Sequence, residues 1–154
     1  MKNTHKLSKY LDTLETLIPK FKAQNLKVSK SNVGWHIDHS LKVINNVAKA
    51  LESSDPKLYK ANFSFLGWVL LSLGYFPRGK AKAPKHVKPP EIITEEDLIL
   101  QVETAKQNIE ITSTLPKNAH FKHPMFGHIN TNRVTRFLEV HTNHHLKIIR
   151  DILK

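Results

Sequence analysis

The segment TNRVTRFLEVHTNHHLKIIRDILK (residues 131–154) decides the fold class. Its apolar side chains recur at three- and four-residue spacings, which is the inner face of an amphipathic helix. That face includes Val134, Leu138, Ile148 and Ile152. At about 100 degrees per residue, His141 and His145 fall in the middle of the same arc. The segment therefore predicts a long last helix that turns two histidines toward the core.

His141 and His145 have the H-x-x-x-H spacing that can bring two imidazoles to one metal ion. Residues four apart rise about 6 Å along one helix face. For a single inward histidine, a hydrogen-bonded core position is the simpler interpretation. Burying two neighbouring imidazoles without partners would cost about 1–3 kcal/mol each, and one cation relieves both. His144 lies toward the edge of the arc, and Glu139 points away from it, which makes it a poor general base.

Helical periodicity also marks three other segments. Leu7 to Phe21 predicts a first helix that Pro19 ends or kinks. A second helix opens after Ser31 or Asn32, either of which can cap it. A fourth helix opens at Thr94, where the side chains resemble a capping box.

The third predicted helix is apolar on nearly every side. We expect it to begin at Asp55, with Pro56 in the first helical position, and to end at Gly74. Its apolar part, Phe63 to Phe76, is too short to cross a bilayer and predicts a buried helix. A surface that is apolar all round is central or shared with another subunit, so we expect a homodimer.

Together these segments predict an all-α fold: one domain over residues 1–154, built as a four-helix bundle with an additional helix and long loops. Residues 74–90 and 117–130 are the two long loops. The sequence contains no cysteine, so histidine and carboxylate are the available metal ligands. The N-terminal segment lacks the features of a signal peptide, and we expect a cytoplasmic protein with no membrane association.

The net charge of +11 favours anionic partners. The lysines are scattered, and no zinc-finger, RNA-binding or basic-zipper motif accompanies them, so we do not expect nucleic acid as the main partner. A small anionic molecule or a thiol is the alternative. The loop after the third helix is either an anion clamp over a metal or a solubilising segment. Its basic residues are Arg78, Lys80, Lys82, Lys85, His86 and Lys88.

A third metal ligand is best sought in VGWHIDH (residues 33–39), on the second helix. This stretch offers His36, Asp38 and His39. Helical projection slightly favours His36, and the residues alone leave the choice between His36 and His39 open.

Three segments resemble the DinB-like superfamily of metal-binding helical bundles, in particular a branch of uncharacterised members. They are VGWHIDHSLKVI (33–44), HPMFGHI (123–129) and RFLEVHTNHHLKIIRDI (136–152). The resemblance implies that His39, His141 and His145 bind one divalent metal ion, which can be zinc, nickel, manganese or iron. Asp38 and His144 would then be residues around the site or at the surface.

The resemblance also implies a class of activity, because DinB-like proteins include transferases that use low-molecular-weight thiols. A metal-dependent hydrolase and a non-catalytic metal-binding bundle are the alternatives. Three histidines are neutral ligands that leave coordination positions for water or substrate, as in catalytic metal sites. The loop histidines His120, His123 and His128 are either solvated or placed at the rim of the site.

Overall fold

The computed structural model describes residues 5–79 and 83–154 of the chain. Within these ranges the protein is mainly helical. The α-helices are α1 (His5–Leu17), α2 (Val33–Glu52), α3 (Phe65–Leu73), α4 (Glu95–Thr114) and α5 (Thr131–Ile152). A short antiparallel hairpin of β1 (His120–His123) and β2 (Gly127–Asn130) leads directly into α5.

The four long helices share one hydrophobic core. Helices α1 and α2 each contact both α4 and α5. Each of the four contributes fully buried leucine or isoleucine side chains, for example Leu11, Leu41, Leu98 and Ile149. Burial of one such side chain stabilises the fold by about 1.5–3 kcal/mol. The contact between α2 and α5 places the two histidine-bearing helices side by side.

Three helix boundaries follow the predictions, two of them through caps and one through a proline. Asn32 accepts a hydrogen bond from the backbone N–H of Trp35 at 2.8 Å and starts α2. The Thr94 hydroxyl accepts one from the N–H of Asp97 at 3.1 Å and starts α4. Helix α1 ends just before Pro19, which lies in a short 3-10 turn. These predictions are confirmed.

The predicted start of the third helix was wrong. Asp55 caps only a 3-10 turn, Pro56–Leu58, and the chain then runs without regular structure to Ser64. Ser64 is the true N-cap of α3, and its hydroxyl accepts from the N–H of Gly67 at 3.0 Å. The predicted end is confirmed, because Gly74 is the C-cap with φ of 64°.

A tertiary contact explains why residues 59–64 are not helical. Asn62 donates its side-chain N–H to the carbonyl of Phe126 at 3.0 Å and accepts the N–H of His128 at 2.6 Å. Both partners lie in the hairpin segment, which we expected to be a loop without strands. Gly127, between them, has φ of 71°, and a Cβ there would collide with the Asn62 amide. The hairpin is therefore fastened to the segment before α3.

Helix α3 lies at the surface, so the expectation of a buried helix was wrong. Only Gly67 and Leu71 of this helix are buried, and its main helical contact is with α5. The exposed apolar side chains in and beside α3 are Phe63, Phe65, Leu66, Trp68, Leu73 and Tyr75. The Phe63 side chain is 78% exposed, and a phenyl ring gains no stability from contact with water.

The length and hydropathy of a helix determine whether it could span a membrane. No helix formed by residues 5–79 and 83–154 combines the length and the apolar character that spanning a bilayer requires.

Candidate metal centre

His39 of α2 meets His141 and His145 of α5 in the interior. Each of the three offers a ring nitrogen, and these nitrogens lie within 4.8 Å of one another. The ring centroids are 5.1 Å apart for His39 and His141, 4.8 Å for His39 and His145, and 4.7 Å for His141 and His145. The helical period aligns the α5 pair, and the packing of α2 on α5 adds the third ring.

A buried nitrogen at this site lacks a partner. His39 and His145 are buried, whereas part of the His141 side chain reaches solvent. The Nδ1 atom of His141 is nevertheless inaccessible and makes no hydrogen bond within the described part of the chain. An unsatisfied buried polar atom destabilises the fold by about 1–3 kcal/mol. A bound cation would remove that cost.

His39 is fixed by the loop that precedes α4. Its Nδ1 donates to the backbone carbonyl of Val87 at 2.8 Å, which leaves Nε2 with a free lone pair. Metal-binding histidines typically make such a hydrogen bond, because it sets the tautomer and the ring orientation. The loop is itself tied to α2, since Asn46 donates to the carbonyl of His86 at 3.1 Å. Trp35 stacks on the His39 ring with centroids 5.1 Å apart.

His145 has a different partner, His36 of α2. The Nδ1 atoms of His36 and His145 are 2.9 Å apart and share a hydrogen bond. The other nitrogen of His36, Nε2, lies 3.0 Å from the hydroxyl of Ser29. Both nitrogens of His36 are therefore engaged. His36 stands beside the three-histidine group without belonging to it.

Burial keeps these imidazoles neutral. Burial is the main cause that holds the pKa of His141 and His145 well below the usual value, and neighbouring histidines add to it. The pKa of His36 falls to about 4 for the same reason, with His39 as the next contributor. The pKa of His39 is also lowered by burial, against the opposing hydrogen bond to Val87. A neutral imidazole has the lone pair that a metal requires.

The donor set matches a divalent transition metal. Tetrahedral zinc, with Zn–N bonds of about 2.0–2.1 Å, holds its nitrogens roughly 3.4 Å apart. Nitrogens that lie within 4.8 Å of one another reach that spacing through small ring movements. Within the described residues no carboxylate joins the group, so its ligands would all be neutral.

Asp38 and His144 lie outside this group. Asp38 is buried toward α4, where it accepts from Gln101 at 2.9 Å and pairs with Lys42 at 2.7 Å. His144 packs edge-on against His145, with centroids 5.0 Å apart. Burial is the main cause of its lowered pKa, followed by the charge of Arg78.

Aromatic side chains form one wall of the site. Phe137 lies 6.0 Å from the His141 ring, and Phe76 lies 6.4 Å from it. His123 of the hairpin contacts Phe137 at 5.1 Å, and burial lowers its pKa to about 4. The sequence pattern does not single out Phe76 or Phe137 as site residues, because each also fits an ordinary core or loop position.

The other two loop histidines lie elsewhere. His120 and His128 stack on each other with centroids 5.1 Å apart, and Tyr59 packs against both. Neither belongs to the three-histidine group. Of the three loop histidines, His123 alone contacts the aromatic wall at Phe137.

Two described parts of the basic loop bear on the site. Lys85, His86 and Lys88 flank Val87, the residue that holds His39. Arg78 pairs with Asp151 at 2.8 Å, and its charge contributes to the lowered pKa of His36 and His144. Lys80 and Lys82 lie outside the described residues.

The chain matches no family model, no curated protein and no solved structure. The function therefore has to be inferred from the site.

Proposed function

We propose that the protein binds one divalent metal ion through His39, His141 and His145 and acts as a low-molecular-weight-thiol transferase. The observation that carries the metal site is the convergence of three neutral imidazoles, together with the buried, unpartnered Nδ1 of His141. Zinc, nickel, manganese and iron are all compatible with imidazole ligands.

The proposed fold is a DinB-like four-helix bundle formed by α1, α2, α4 and α5, with α3 as the additional helix. The mutual contacts of these four helices support it, as do the three sequence segments that resemble that superfamily. In such a bundle, ligands projecting inward from facing helices build the metal site. Helices α2 and α5 supply them here.

The surroundings of the ligands favour an electrophilic ion. His39 donates to a neutral carbonyl, and His145 is bonded to a neutral imidazole. Carboxylate partners would make the ligands more basic and offset the metal charge. A divalent ion held by these residues would act as a Lewis acid and would lower the pKa of a coordinated thiol or water.

The proposed reaction is a substitution at an electrophilic carbon. The thiol releases its proton to solvent, its sulfur forms a bond to the carbon, and the leaving group departs with the bonding electrons. The aromatic rings of Phe76 and Phe137, 6.4 and 6.0 Å from that of His141, would lie beside the reacting sulfur.

Basic side chains near the site favour a thiol that carries anionic groups, either carboxylate or phosphate. Lys85 and Lys88 are exposed and stand within two residues of Val87, and Arg78 acts electrostatically on His144. Positive charges around an opening attract anionic ligands and raise their local concentration. Glutathione, bacillithiol and coenzyme A are suitable probes.

Titration of the cobalt-substituted protein with these thiols tests the proposal. We expect a sulfur-to-cobalt charge-transfer band with at least one of them. S-methylglutathione is the matched control, because it keeps the charges of glutathione and lacks the thiol. If no thiol produces the band, the transferase proposal fails, and a hydrolase or a non-catalytic metal-binding protein remains.

The role of the basic loop has its own test. The double variant Lys85→Gln and Lys88→Gln should weaken binding of the probe thiol severalfold at low salt, because two attractive charges are lost. Lys20→Gln with Lys27→Gln removes the same charge at exposed positions outside the loop. Equal effects of the two pairs would show that net charge alone attracts the thiol.

We also propose that two copies associate through α3. The exposed apolar side chains around this helix present on the order of 600 Å² per protomer, since one aromatic side chain offers about 200 Å². That is the upper end of what a monomer exposes and approaches the ~800 Å² per partner of a stable interface. The 17 residues 61–77 contain no charged side chain, so this segment itself adds no repulsion between two strongly basic copies, and the cations beside it include Arg133 and Arg136 of α5.

Sedimentation velocity tests this assembly. We expect a dimer at micromolar concentration that dissociates in a Phe65→Lys and Trp68→Lys double variant. Ile92→Lys is the matched control, since Ile92 is 80% exposed and lies outside α3. A monomeric wild-type protein would contradict the proposal.

A further inference from the structure

We infer that His36 is a positioning residue, whose Nδ1 accepts the proton of His145 Nδ1 and thereby fixes His145 Nε2 as the metal-binding nitrogen. This inference rests on the proposed metal site. It adds an ordered chain of hydrogen bonds from the loop before α2 to a ligand on α5. The chain consists of Ser29, His36 and His145, joined by contacts of 3.0 and 2.9 Å.

The geometry between the two Nδ1 atoms requires a single shared proton. A contact of 2.9 Å between ring nitrogens is a hydrogen bond only if one nitrogen donates and the other accepts. Two arrangements satisfy this condition. In the first, His145 donates to His36, and in the second, His36 donates to His145.

The two arrangements have opposite consequences for a metal. If His145 carries its proton on Nδ1, its Nε2 has a free lone pair and can bind the ion. If His36 donates instead, the proton of neutral His145 lies on Nε2. That nitrogen then has no free lone pair for an ion at the three-histidine group, whose ring nitrogens lie within 4.8 Å of one another. A metal at the three-histidine group therefore selects the first arrangement, with His36 as the acceptor.

The contacts of the Ser29 hydroxyl oxygen are compatible with that arrangement. With its Nδ1 accepting, His36 carries its proton on Nε2 and donates it to the Ser29 hydroxyl oxygen. The same oxygen accepts the backbone N–H of Ser31 at 3.1 Å, so both of its lone pairs are used. The Ser29 hydroxyl could equally donate to Nε2 of His36 in the other arrangement, so the metal selects the tautomer of His36, and His36 holds that of His145.

Burial strengthens the control that His36 has over His145. His36 is 4% exposed and His145 is 7% exposed, so water has little access to replace the bond between them. The protein groups around a ligand histidine typically change metal affinity by about 10–100-fold when they are removed. We expect an effect of that size at His36.

Two substitutions separate the acceptor from the volume of the side chain. In His36→Asn, the amide oxygen can occupy the region of Nδ1 and accept from His145. In His36→Leu, a similar volume is filled without an acceptor. We expect zinc and cobalt affinity to fall about 10–100-fold in His36→Leu and less than tenfold in His36→Asn. His128→Leu removes a partly buried histidine that takes no part in the hydrogen bonds joining Ser29, His36 and His145, and it serves as the control.

The position of the proton can be observed directly in the zinc-loaded protein labelled with ¹⁵N. We expect a nitrogen–nitrogen coupling across the hydrogen bond between His36 and His145, with the proton attached to His145. The coupling should disappear in both His36 variants. Cobalt spectra of the variants report whether three nitrogen ligands remain.

The outcomes distinguish this inference from the metal site itself. If the wild-type protein binds no stoichiometric metal, the proposed function fails and the inference with it. If the wild type binds metal and His36→Leu binds it equally well, the inference alone is overturned. A proton attached to His36 in the zinc-loaded wild type would overturn it as well, without requiring any variant to fold.

Discussion

The histidines of α2 and α5 and those of the hairpin show opposite uses of the same side chain. In the hairpin, His123 Nδ1 accepts the N–H groups of Met125 and Phe126 at 3.1 and 3.3 Å, and His120 bonds to the nearby carbonyl of Asn118 at 3.0 Å. In the helices, His39 and His145 bond to groups 48 and 109 residues away along the chain.

The difference follows from the backbone. A helix interior uses its own N–H and C=O groups, so a histidine there finds no local backbone partner. A turn leaves backbone groups free, and a nearby imidazole satisfies them. Histidines in a helix must therefore seek partners on other elements, and a metal ion is one such partner.

Removal of a helix histidine should have the largest effect on metal binding. His145→Ala eliminates one of three ligands, and we expect stoichiometric metal to be lost. His120→Ala, in the hairpin, should retain it. The measurement is elemental analysis of tag-free protein purified without a nickel column. Equal metal content in the two variants would contradict the proposed difference between the helix and hairpin histidines.

A second experiment compares the two histidines of α2. We expect His39→Ala to abolish stoichiometric binding, because His39 is one of the converging rings. His36→Ala should weaken binding and leave the site in place. The reverse result would make His36 the ligand from α2. The measurement is zinc affinity by competition with a chelator of known strength.

The hairpin histidine His123 should act on stability and its pH dependence. Burial lowers its pKa in the folded protein to about 4, from the ordinary histidine value of 6.5 that applies to the unfolded chain. Between these values the unfolded chain binds a proton that the folded chain does not, so stability falls as pH is lowered below about 6.5. The contribution lost between pH 7.5 and pH 5 is about 2 kcal/mol.

His123→Phe tests this pH dependence. At pH 7.5 the variant should be less stable by about 1 kcal/mol, since two backbone N–H groups lose their acceptor. At pH 5 the difference should shrink or reverse. Urea unfolding of metal-free protein at the two pH values measures it. A constant difference between the two pH values would show that burial of His123 does not suppress its protonation.

The smallest effect on metal binding is expected at the fastening of the hairpin. Asn62→Ala removes two hydrogen bonds to backbone groups of Phe126 and His128 and should lower the free energy of unfolding by roughly 1–2 kcal/mol. Metal affinity should hardly change, because no ligand lies in the hairpin. A marked loss of affinity would mean that the hairpin also positions the ligands.

Local sequence patterns predicted much of the fold. The apolar period and the caps at Asn32 and Thr94 are properties of neighbouring residues, and they locate α2 and α4. The start of α3 could not be found in this way. Asp55 and Pro56 have the features of a helix start, yet Asn62 bonds to residues more than 60 positions away and keeps the chain extended.

The sequence by itself determined that His141 and His145 share one face of a helix, because the helical period fixes residues four apart. The residues alone left the choice between His39 and His36 open, the resemblance implied His39, and the tertiary structure brings His39 into the three-histidine group. Both are buried on the same helix, and helical projection slightly favoured His36, because hydrophobic periodicity reports burial and not the contact that each ring makes. The packing of α2 on α5 brings His36 to the Nδ1 of His145, and the loop carbonyl of Val87 orients His39, so these long-range contacts assign each ring its place.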